Sequence, residues 1–525
     1  MKPGSNFREL ALAPDRALVD VRFGARALRL PLGENLAAAL LVAGIMPFRR
    51  TCPPLVKETA MHEVDLIIIG AGPAGMSAAW RAAECGLSVL ILDEQPAAGG
   101  QIYRDVDRAS ALRGDILGKD FTDGQTLTRR LDHVNITHLK GAVVWQIEDG
   151  PRVSYTQAGQ GGVACAKRIL LATGAIERPM PLPGWTLPGV MTAGAAQILL
   201  KQSGIACERA VLVGSGPLLY LIAAQMVRAG VPPLALVETQ TRQDFIGSVR
   251  HLGGALRGWR YLLKGAGMLW HLRRARVPRY LGVSEIAIEG EKAAQAVTFT
   301  SGGRSQRIAC ETVLLHHGVV PNTQTARSID IPHHWDERQS CFVPQCDDWG
   351  RTMKSAVYIA GDGAGIGGAK AAALAGEIAA LDIACDLDHL TSPDRDAAAR
   401  PLRARLAKER AARPFIDSVY PPHAAALAPQ DPTIVCRCEE VTAGDIRRMA
   451  GLGCLGPNQT KVFGRAGMGP CQGRYCGLTV TRLLAEANGL SPDQTGHFRI
   501  RPPIKPVTIG EIAAMTPQET SEQSK

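Results

Sequence analysis

The sequence predicts an α/β protein with two nucleotide-binding α/β domains and a small helical domain near its C-terminus. A glycine turn lies between two apolar runs at residues 62–102, and the same pattern returns at residues 209–238. Four cysteines form two close pairs between residues 436 and 476. A chain of 525 residues has room for about three or four domains, so a single small fold is excluded.

Composition and charge narrow the class of protein. Hydrophobic residues at 46% and charged residues at 21% are typical of a globular chain. The net charge of +10 is spread over the chain without a recognition module, so we expect no nucleic-acid binding. The longest apolar stretch, residues 36–48, is too short to span a bilayer, which leaves at most a peripheral membrane contact. Thirteen cysteines without an export signal predict a cytoplasmic protein.

Residues 62–102 predict one strand–helix–strand unit that binds a dinucleotide. Gly70 permits a tight turn, Gly72 lets the backbone approach a pyrophosphate, and Gly75 allows the helix to pack closely on the strand. An acidic pair about twenty residues later is placed to accept a hydrogen bond from a ribose hydroxyl. The candidate cofactor-binding residues of this unit are Gly70, Gly72, Pro73, Ala74, Gly75, Asp93, Glu94, Gly100 and Gln101.

The second glycine motif, at residues 209–238, is degenerate. Gly214 and Gly216 occupy the first two glycine positions and are candidate nucleotide contacts, but Leu219 occupies the third. A leucine there is expected to push the helix away from the strand. The pattern therefore predicts the fold, and leaves open whether the unit binds NAD(P), another nucleotide or nothing.

Two further segments, residues 169–185 and 357–377, each read as a strand followed by a glycine turn. Asp362 lies between the strand and the helix of the second segment, where a carboxylate can bind the ribityl chain of a flavin or simply cap the helix. Residues 62–390 resemble the two-domain flavoproteins of the pyridine-nucleotide disulfide oxidoreductase superfamily. The resemblance implies FAD on the first motif, closed by Thr173, Gly174, Gly361 and Asp362. The redox disulfide of that superfamily is missing, because GGQIYR (99–104) has no cysteine and the second domain has no C-x-x-C, so a disulfide reductase is not expected.

The C-terminal cysteines predict a soft metal centre. Cys436 and Cys438 form C-x-C, and Cys471 and Cys476 form C-x-x-x-x-C, with glycines around the second pair. The spacing favours a [2Fe–2S] cluster, with zinc or unliganded thiols as alternatives. The segment resembles the bacterioferritin-associated-ferredoxin-like domain, which implies the iron–sulfur cluster. Cys454 is interpreted as a core or loop thiol.

The order of these units resembles one family across about residues 62–515. The motifs ATGAIERP, PLPGWTLPGVMTAGAAQ, GSGPLL, CRCEEVT and GMGPCQGR are similar to those of the A subunit of opine oxidases, with relatives in the hydrogen cyanide synthase B subunit and the alpha subunits of hydroxyproline and proline dehydrogenases. The resemblance implies a separate amine-oxidising FAD subunit, similar to D-amino-acid oxidase, and allows a small ferredoxin-like subunit. This chain is then expected to transfer electrons to an unidentified acceptor.

Residues 19–45 resemble the opening hairpin and helix of that small ferredoxin-like subunit. The C-x4-C-x2-C loop of a plant-type ferredoxin does not follow Cys52. We therefore interpret residues 1–60 as a truncated β-grasp remnant without a cluster.

The remaining divisions follow from these units. They are residues 61–198 and 325–390 for the two parts of the FAD domain, 199–324 for the second nucleotide domain, 391–430 for a helical linker, 431–490 for the [2Fe–2S] domain and 491–525 for a tail. Residues 250–281 interleave Leu and Trp with Arg at helical spacing. That pattern fits an ordinary surface helix, or a contact with a partner subunit, an anionic ligand or a membrane surface.

The leading hypothesis is an FAD- and [2Fe–2S]-containing electron-transfer subunit of a heteromeric dehydrogenase acting on C–N bonds of opines, imino acids or related amino acids. The alternatives are a stand-alone NAD(P)H-dependent ferredoxin-type reductase and a regulatory subunit that binds nucleotides without turnover. No catalytic base is assigned. The histidines that stand out are interpreted as surface or loop residues: His316, His317, His333 and His334.

Overall fold

The computed structural model of the chain describes residues 18–23, 26–31, 62–148, 150–513 and 515. Strands β1 (Leu18–Phe23) and β2 (Arg26–Pro31) pair antiparallel, with Leu18 opposite Pro31. The rest of the predicted β-grasp remnant, including Cys52, lies outside the described residues.

The first nucleotide domain is built around one large sheet. The strands of this sheet are β3 (His62–Ile69), β4 (Val89–Asp93), β5 (Ile136–Lys140), β6 (Val143–Glu148), β7 (Arg152–Gln157) and β8 (Gln160–Leu171). Two short strands outside this sheet follow, β9 (Ala175–Glu177) and β10 (Val190–Thr192). The helices are α1 (Pro73–Glu84), α2 (Val106–Leu117), α3 (Lys119–Thr122) and α4 (Gln125–Arg129). The strand order is β5-β4-β3-β8-β7-β6, with the first four strands parallel.

The centre of this sheet is apolar on both faces. Leu66, Ile67 and Ile68 of β3 are fully buried, and β4 is buried along its whole length. Continuous apolar strands of this kind are typical of parallel sheets covered on both sides. Helix α1 begins directly after the glycine turn, because Gly72 is extended and Pro73 occupies the first helical position.

The second nucleotide domain follows. Its elements are α5 (Ala193–Ile198), a π-helical turn (Leu199–Ser203), β11 (Ala210–Gly214), α6 (Pro217–Arg228), β12 (Ala235–Glu238), α7 (Arg242–Ser248), α8 (Leu252–Arg257), α9 (Trp259–Arg274), β13 (Arg279–Leu281), β14 (Ser284–Glu289), β15 (Ala296–Ser301), β16 (Arg304–Ala309) and β17 (Thr312–His316). The order β10-β17-β11-β12-β13 is parallel throughout, and β14 to β16 form an antiparallel sheet beside it. Because Val190 pairs with Val313, this sheet takes in residues before the predicted boundary at 199.

The chain then returns to the first domain. The next elements are β18 (Val319–Pro321), α10 (Gln324–Ser328), β19 (His333–Asp336), β20 (Cys341–Pro344), β21 (Val357–Ile359), a 3₁₀ turn (Gly361–Ala364), α11 (Ala369–Asp386), α12 (Ser392–Arg410), α13 (Arg413–Val419) and α14 (Ala424–Leu427). Strand β21 joins the large sheet parallel to β8, which completes the interrupted domain. The predicted helical linker is anchored on α11, where the buried Asp382 accepts hydrogen bonds from Arg351 and Arg395.

The cysteine-containing domain closes the described chain. Its elements are β22 (Ile434–Cys436), β23 (Val441–Thr442), α15 (Ala443–Gly451), α16 (Pro457–Gly464), α17 (Gly477–Asn488), α18 (Pro492–Thr495) and α19 (Ile509–Ala513). Its core includes Phe498, Ile500 and Ile504, so much of the segment predicted as a tail is part of this domain. Among the helices that the structure describes, none has the length and apolar character needed to cross a membrane.

Candidate functional site

The first glycine motif forms a tight turn at the carboxyl end of β3. Gly70 has φ +105°, and a methyl group added to it would lie 2.6 Å from the Ala172 carbonyl oxygen. A methyl group added to Gly75 would lie 1.9 Å from the Gly70 carbonyl oxygen. Both glycines are therefore needed for the turn and for the packing of the following helix.

Gly72 plays a different part, because the space beside it is open. A methyl group there would meet only the Gly100 Cα, at 3.8 Å, which is an ordinary contact. Gly100, at φ +61°, turns its own missing side chain toward Gly72, whose Cα would be 2.8 Å from an added methyl. Two bare backbones thus face each other at the start of α1, where a pyrophosphate can approach the helix N-terminus.

Asp93, at the end of β4, is the buried acid of this site. Its Oδ1 accepts a hydrogen bond from the Gln95 amide at 3.2 Å, while its buried Oδ2 has no partner among the described residues. Burial raises the pKa of Asp93 to about 6. An unsatisfied buried carboxylate oxygen at this position fits the ribose hydroxyls of a dinucleotide.

Glu94 is engaged elsewhere. Its carboxylate pairs with Lys505 at 2.7 Å. Ile504, the residue before this lysine, donates its amide to the Trp145 carbonyl at 2.8 Å. Glu94 therefore joins the cysteine-containing domain to the first nucleotide domain, and Asp93 is the acid left for a ligand.

Two buried cations beside the GGQ segment were not predicted. Lys201 is completely buried and donates to the carbonyl oxygens of Gln101 and Ile102 at 3.1 and 2.9 Å, and to the Gln197 side chain at 2.8 Å. Burial lowers the pKa of Lys201 to about 7. Arg104 is also buried and donates to the Gln101 side chain at 3.1 Å. A lone lysine in an apolar helix carries no sequence signal for this role.

The other predicted flavin contacts lie beside the first glycine turn, where a methyl group added to Gly70 would be 3.8 Å from the Thr173 Cα. The Thr173 hydroxyl donates to the Asn322 carbonyl at 3.0 Å, and the Asn322 amide donates to the Gly174 carbonyl at 2.9 Å. Asp362 accepts the amides of Gly367 and Gly368, each at 2.9 Å, so its carboxylate organises the turn before α11.

Gly361 is needed for close packing against the first turn of α1. A methyl group added to it would lie 2.7 Å from the Ala74 Cβ, and its φ is +79°. Ala74 also faces Gly376 of α11, where an added methyl would lie 2.1 Å from the Ala74 carbonyl oxygen. The two halves of the interrupted domain therefore meet at Ala74 without space for larger side chains.

The second glycine motif forms the same tight turn, but a leucine side chain occupies the space at its third glycine position. Gly214 has φ +129°, and a methyl group added to it would lie 1.7 Å from the His316 carbonyl oxygen. Leu219 is fully buried in a core with Leu212, Ile222 and Leu314. Its side chain is thus part of the packing between helix and sheet, in the place that a third glycine would leave empty.

The acid of the second domain already has partners. Glu238, fully buried at the end of β12, accepts hydrogen bonds from Tyr220 and Gln240, both at 2.5 Å. Arg279 adds a two-pronged contact at 2.7 and 3.0 Å. Both carboxylate oxygens of Glu238 therefore already have partners within the chain.

The segment Tyr420–His423 covers the same turn. The Ser215 hydroxyl, between the two glycines, donates to the Pro421 carbonyl at 3.4 Å, and the His423 amide donates to His317 at 3.2 Å. The Tyr420 ring packs edge-on against Tyr220, with centroids 6.0 Å apart. The chain itself thus occupies part of the surface on which a second dinucleotide would bind.

The interpretation of the histidines as surface or loop residues was wrong for His316, which is buried at the end of β17, whereas His317 lies in the loop that follows but is buried as well. His316 Nδ1 lies 2.6 Å from the Glu177 carboxylate, and His317 Nε2 lies 2.7 Å from the Pro179 carbonyl oxygen. Both histidines are buried because the end of β17 is enclosed between the two nucleotide domains. His333 is also largely buried, which lowers its pKa to about 3, whereas His334 is exposed.

The four predicted cysteine ligands come together in two pairs. The sulfurs of Cys438 and Cys471 are 3.8 Å apart. A hydrogen bond from the Cys476 thiol lowers the pKa of Cys436 to about 6, and Cys476 lies within electrostatic reach of all three others. Two thiols for each of two metal atoms is the donor set of a [2Fe–2S] cluster. No three His, Cys, Asp or Glu side chains in the described part of the chain are arranged around a point suited to a single metal ion.

Glycines make this pairing possible. A methyl group on Gly469 would lie 2.1 Å from the Cys438 Cβ, so the two cysteine loops approach as closely as backbone allows. Gly467 and Gly473 both lie against the Phe498 ring, at 2.6 and 2.3 Å from their missing methyls. Cys454 is buried in the core of the domain, in agreement with its interpretation as a core thiol.

One side chain connects the cysteines with the first nucleotide site. Gln324, two residues after Asn322, donates to the carbonyl oxygens of Cys471 and Gln472 at 3.4 and 3.2 Å. Since Asn322 contacts Thr173, which adjoins the first glycine turn, a short segment of chain joins the cysteine loop to the first nucleotide site. Sequence spacing gave no sign of this link.

Comparison with known proteins is consistent with this arrangement. The A subunit of opine oxidase from Agrobacterium tumefaciens (strain Ach5) is 44% identical over 461 residues, covering 86% of this chain and 91% of the relative. The chain belongs to the family of opine oxidase A subunits. Hydrogen cyanide synthase subunit HcnB of Pseudomonas aeruginosa is a more distant relative of this family member, at 32% identity over 84% of this chain and 96% of that protein.

Family models divide this homologue of the opine oxidase A subunits in the same places as its fold. The model described as pyridine nucleotide-disulphide oxidoreductase matches residues 64–377, and the one described as sarcosine oxidase A3 domain matches residues 431–516. L-proline dehydrogenase from P. horikoshii shares the fold, with a TM-score of 0.64, 18% identity, and coverage of 97% of this chain and 99% of that one. The chain is therefore an oxidoreductase of the flavoprotein type, as the sequence predicted.

Proposed function

We propose that this chain is the electron-transfer subunit of a heteromeric dehydrogenase that oxidises C–N bonds in opines, imino acids or related amino acids. The names of its relatives, the A subunit of opine oxidase and hydrogen cyanide synthase subunit HcnB, are those of components of larger enzymes. The proposal assigns the oxidation of the amine to a separate FAD subunit, and electron removal to this chain.

The residues around the first glycine motif fit FAD. Gly72 and Gly100 leave room for the pyrophosphate, and the free oxygen of Asp93 accepts from the adenosine ribose. Thr173 and the turn at Asp362 lie beside the same glycine turn, where they would contact the flavin. FAD and a [2Fe–2S] cluster, when bound, supply two-electron and one-electron redox chemistry respectively.

The cysteines fit a [2Fe–2S] cluster, with Cys436, Cys438, Cys471 and Cys476 as ligands. Their pairing in twos and the glycine contact at Gly469 support two metal atoms in one site. The resemblance to the bacterioferritin-associated-ferredoxin-like domain supports the same assignment. Arg474, between the second pair of cysteines, donates to the Ile504 carbonyl at 3.2 Å and so fixes this loop to the rest of its domain.

The observation that carries the proposal is the contact of Gln324 with the cysteine loop. It ties the backbone of Cys471 and Gln472 to the segment that also holds Thr173, so two redox sites of one chain adjoin each other. Electron transfer between centres requires such proximity, whereas a regulatory subunit without turnover does not. The stand-alone NAD(P)H reductase is disfavoured because Glu238 and the second glycine turn are already occupied by the chain itself.

The test is amine:dye oxidoreductase activity of the chain expressed alone and coexpressed with the products of its neighbouring genes. A panel of opines, proline derivatives, sarcosine and glycine provides the substrates, and dichlorophenolindophenol accepts the electrons. We expect turnover only with the coexpressed complex. Equal turnover by the lone chain would contradict the division of labour.

A further inference from the structure

The segment from the end of α7 through α8 and α9 carries an exposed apolar seam that does not pack against the rest of the described chain. We define the seam as Val249, Leu252, Leu256, Trp259, Leu263 and Trp270, which are each 44–62% exposed. Val249 lies in a 3₁₀ turn (Val249–His251), Leu252 and Leu256 lie in α8, and the other three lie in α9. Their spacing alternates between three and four residues, with the exposed Ala266 between the last two, which is the spacing of an amphipathic helical face. Exposed apolar residues in this number and order mark an interaction surface.

The opposite face of these helices is fixed to the protein. Ala255 and Leu272 are fully buried. Methyl groups added to Gly254 and Gly258 would lie 2.4 and 2.6 Å from atoms of Ala411 and Ala412 in the linker. The seam therefore points outward because the other side of the helices is packed, and no rotation of the helices can bury it.

The segment that carries the seam has charges of one sign, although Asp120 and Glu409 of other elements contact Lys264 and Tyr261 within it. From Val249 to Arg276 the sequence contains no acidic residue. Exposed arginines flank the seam, and none of them forms an ion pair with another described residue: Arg250, Arg257, Arg260, Arg273, Arg274 and Arg276. A second copy of this face is disfavoured as the partner, because arginine would oppose arginine. The partner must combine an apolar interior with an anionic border.

We propose that this face binds an anionic lipid surface, with the seam inserted at the level of the headgroups. Tryptophan stands in the middle and at the end of the seam, and its ring suits the membrane interface. The guanidinium of Arg274 lies 5.6 Å from the Trp270 ring centroid and that of Arg260 lies 6.0 Å from the Trp259 ring centroid, so charge and apolar ring are presented together. An acidic protein surface would satisfy the arginines, but it would leave less reason for a continuous row of large apolar side chains.

Sedimentation with lipid vesicles tests this binding. The full-length chain, alone and in the coexpressed complex, is mixed with vesicles of phosphatidylcholine or of phosphatidylcholine with phosphatidylglycerol. We expect binding to the anionic vesicles that weakens as salt is raised. The variants L256Q/W259Q and R257E/R260E should each bind at least about tenfold more weakly. The matched controls L112Q/V134Q and R304E/R338E change exposed residues away from the seam and should bind like the wild type.

A second readout identifies the inserted residues. Brominated lipid should quench tryptophan fluorescence of the wild type, and W259F/W270F should lose that quenching while W80F keeps it. Equal binding to neutral and anionic vesicles, or unchanged binding by L256Q/W259Q, would overturn the proposal. So would protection of the seam from hydrogen exchange in the lipid-free complex, because it would show that the partner subunit covers this face.

Discussion

Asp93 is buried, and its Oδ2 has no hydrogen-bond partner among the described residues. In the absence of a ligand, burial therefore destabilises the charged form of this carboxyl group. Its pKa is raised from 3.8 to about 6, so the folded ligand-free chain binds the proton more tightly than the unfolded chain does. Stability must then fall as the pH rises from about 4 to about 6, by up to about 3 kcal/mol. We expect ligand-free Asp93→Asn to unfold at a higher urea concentration than wild type at pH 7.5, with no difference near pH 4.

Nucleotide binding should reverse the effect of this substitution. Ribose hydroxyls that donate to the carboxylate favour its charged form, so the wild type should bind FAD more tightly at pH 8 than at pH 5. Asp93→Asn should lose this pH dependence and bind about 10- to 100-fold more weakly at pH 8. Fluorescence titration of the apoprotein measures both. An unchanged affinity would show that Asp93 does not face the ribose.

Gly72 and Gly75 should respond differently to the same substitution. Gly72→Ala adds a methyl in open space, so the flavin-free variant should melt like the flavin-free wild type but bind less FAD. Gly75→Ala places its methyl 1.9 Å from the Gly70 carbonyl oxygen and should lower the melting temperature as well. Melting curves and flavin content after acid precipitation distinguish the two. Full flavin retention in Gly72→Ala would contradict the assigned pyrophosphate position.

Cys471 and Cys454 offer a matched pair of thiols in one domain. Cys471→Ser should remove the visible absorption of the cluster, the EPR signal of its reduced state, and the two irons and two sulfides, because it deletes one of four ligands. Cys454→Ser should keep all of them, since Cys454 lies in the core away from the paired thiols. Zinc instead of iron after anaerobic purification would refute the cluster assignment.

The sequence predicted the roles of single residues correctly where the backbone conformation permits only one type of residue. Gly70, Gly75 and the acid at the end of β4 are such positions, because the motif spacing fixes where they fall. Lys201, Asn322 and Gln324 were missed, since each acts through a contact between distant segments. Glu94 looked equivalent to Asp93 in sequence, and only the fold shows that Lys505 takes it.

At the scale of elements, helix α6 tests whether the second nucleotide domain still binds a nucleotide. Leu219→Ala should lower the free energy of unfolding by about 2–5 kcal/mol, because the side chain is fully buried. It should not speed flavin reduction by NADH, since Glu238 and the Tyr420–His423 segment remain in place. Urea unfolding and stopped-flow absorbance measure the two effects, with the exposed Leu263→Ala as control. Rapid reduction of the wild type by NADH would favour the reductase hypothesis.

Apolar periodicity in the sequence predicted which helices and strands form. It predicted the boundaries between domains less well. The two glycine motifs predicted β3–α1–β4 and β11–α6–β12 because turn, helix and strand each leave a local pattern. The membership of β10 in the second sheet depends on its pairing with β17, about 120 residues away, and has no local signal. The segment from Phe498 to Ile504 looked like a tail because it has no regular secondary structure, although its side chains complete a core.

At the scale of the whole molecule, side-chain contacts join the cysteine-containing domain to the rest of the protein. Lys505 and Gln324 join the cysteine-containing domain to the first nucleotide domain, and Trp185 donates to the Ile434 carbonyl at 2.7 Å from the connecting segment. The linker helices pack on α11 and against the segment that joins α8 to α9. This packing is in keeping with the proposal that the substrate binds to a partner subunit.

The most direct measurement is anaerobic reduction of the coexpressed complex and of the lone chain by an opine, followed at the flavin absorbance and at the cluster EPR signal. We expect the opine to bleach flavin and raise the cluster signal in the complex, and to leave both unchanged in the lone chain, although dithionite reduces both centres there. Reduction of the lone chain by the opine, or a complex in which the cluster stays oxidised during turnover, would contradict an electron-transfer subunit.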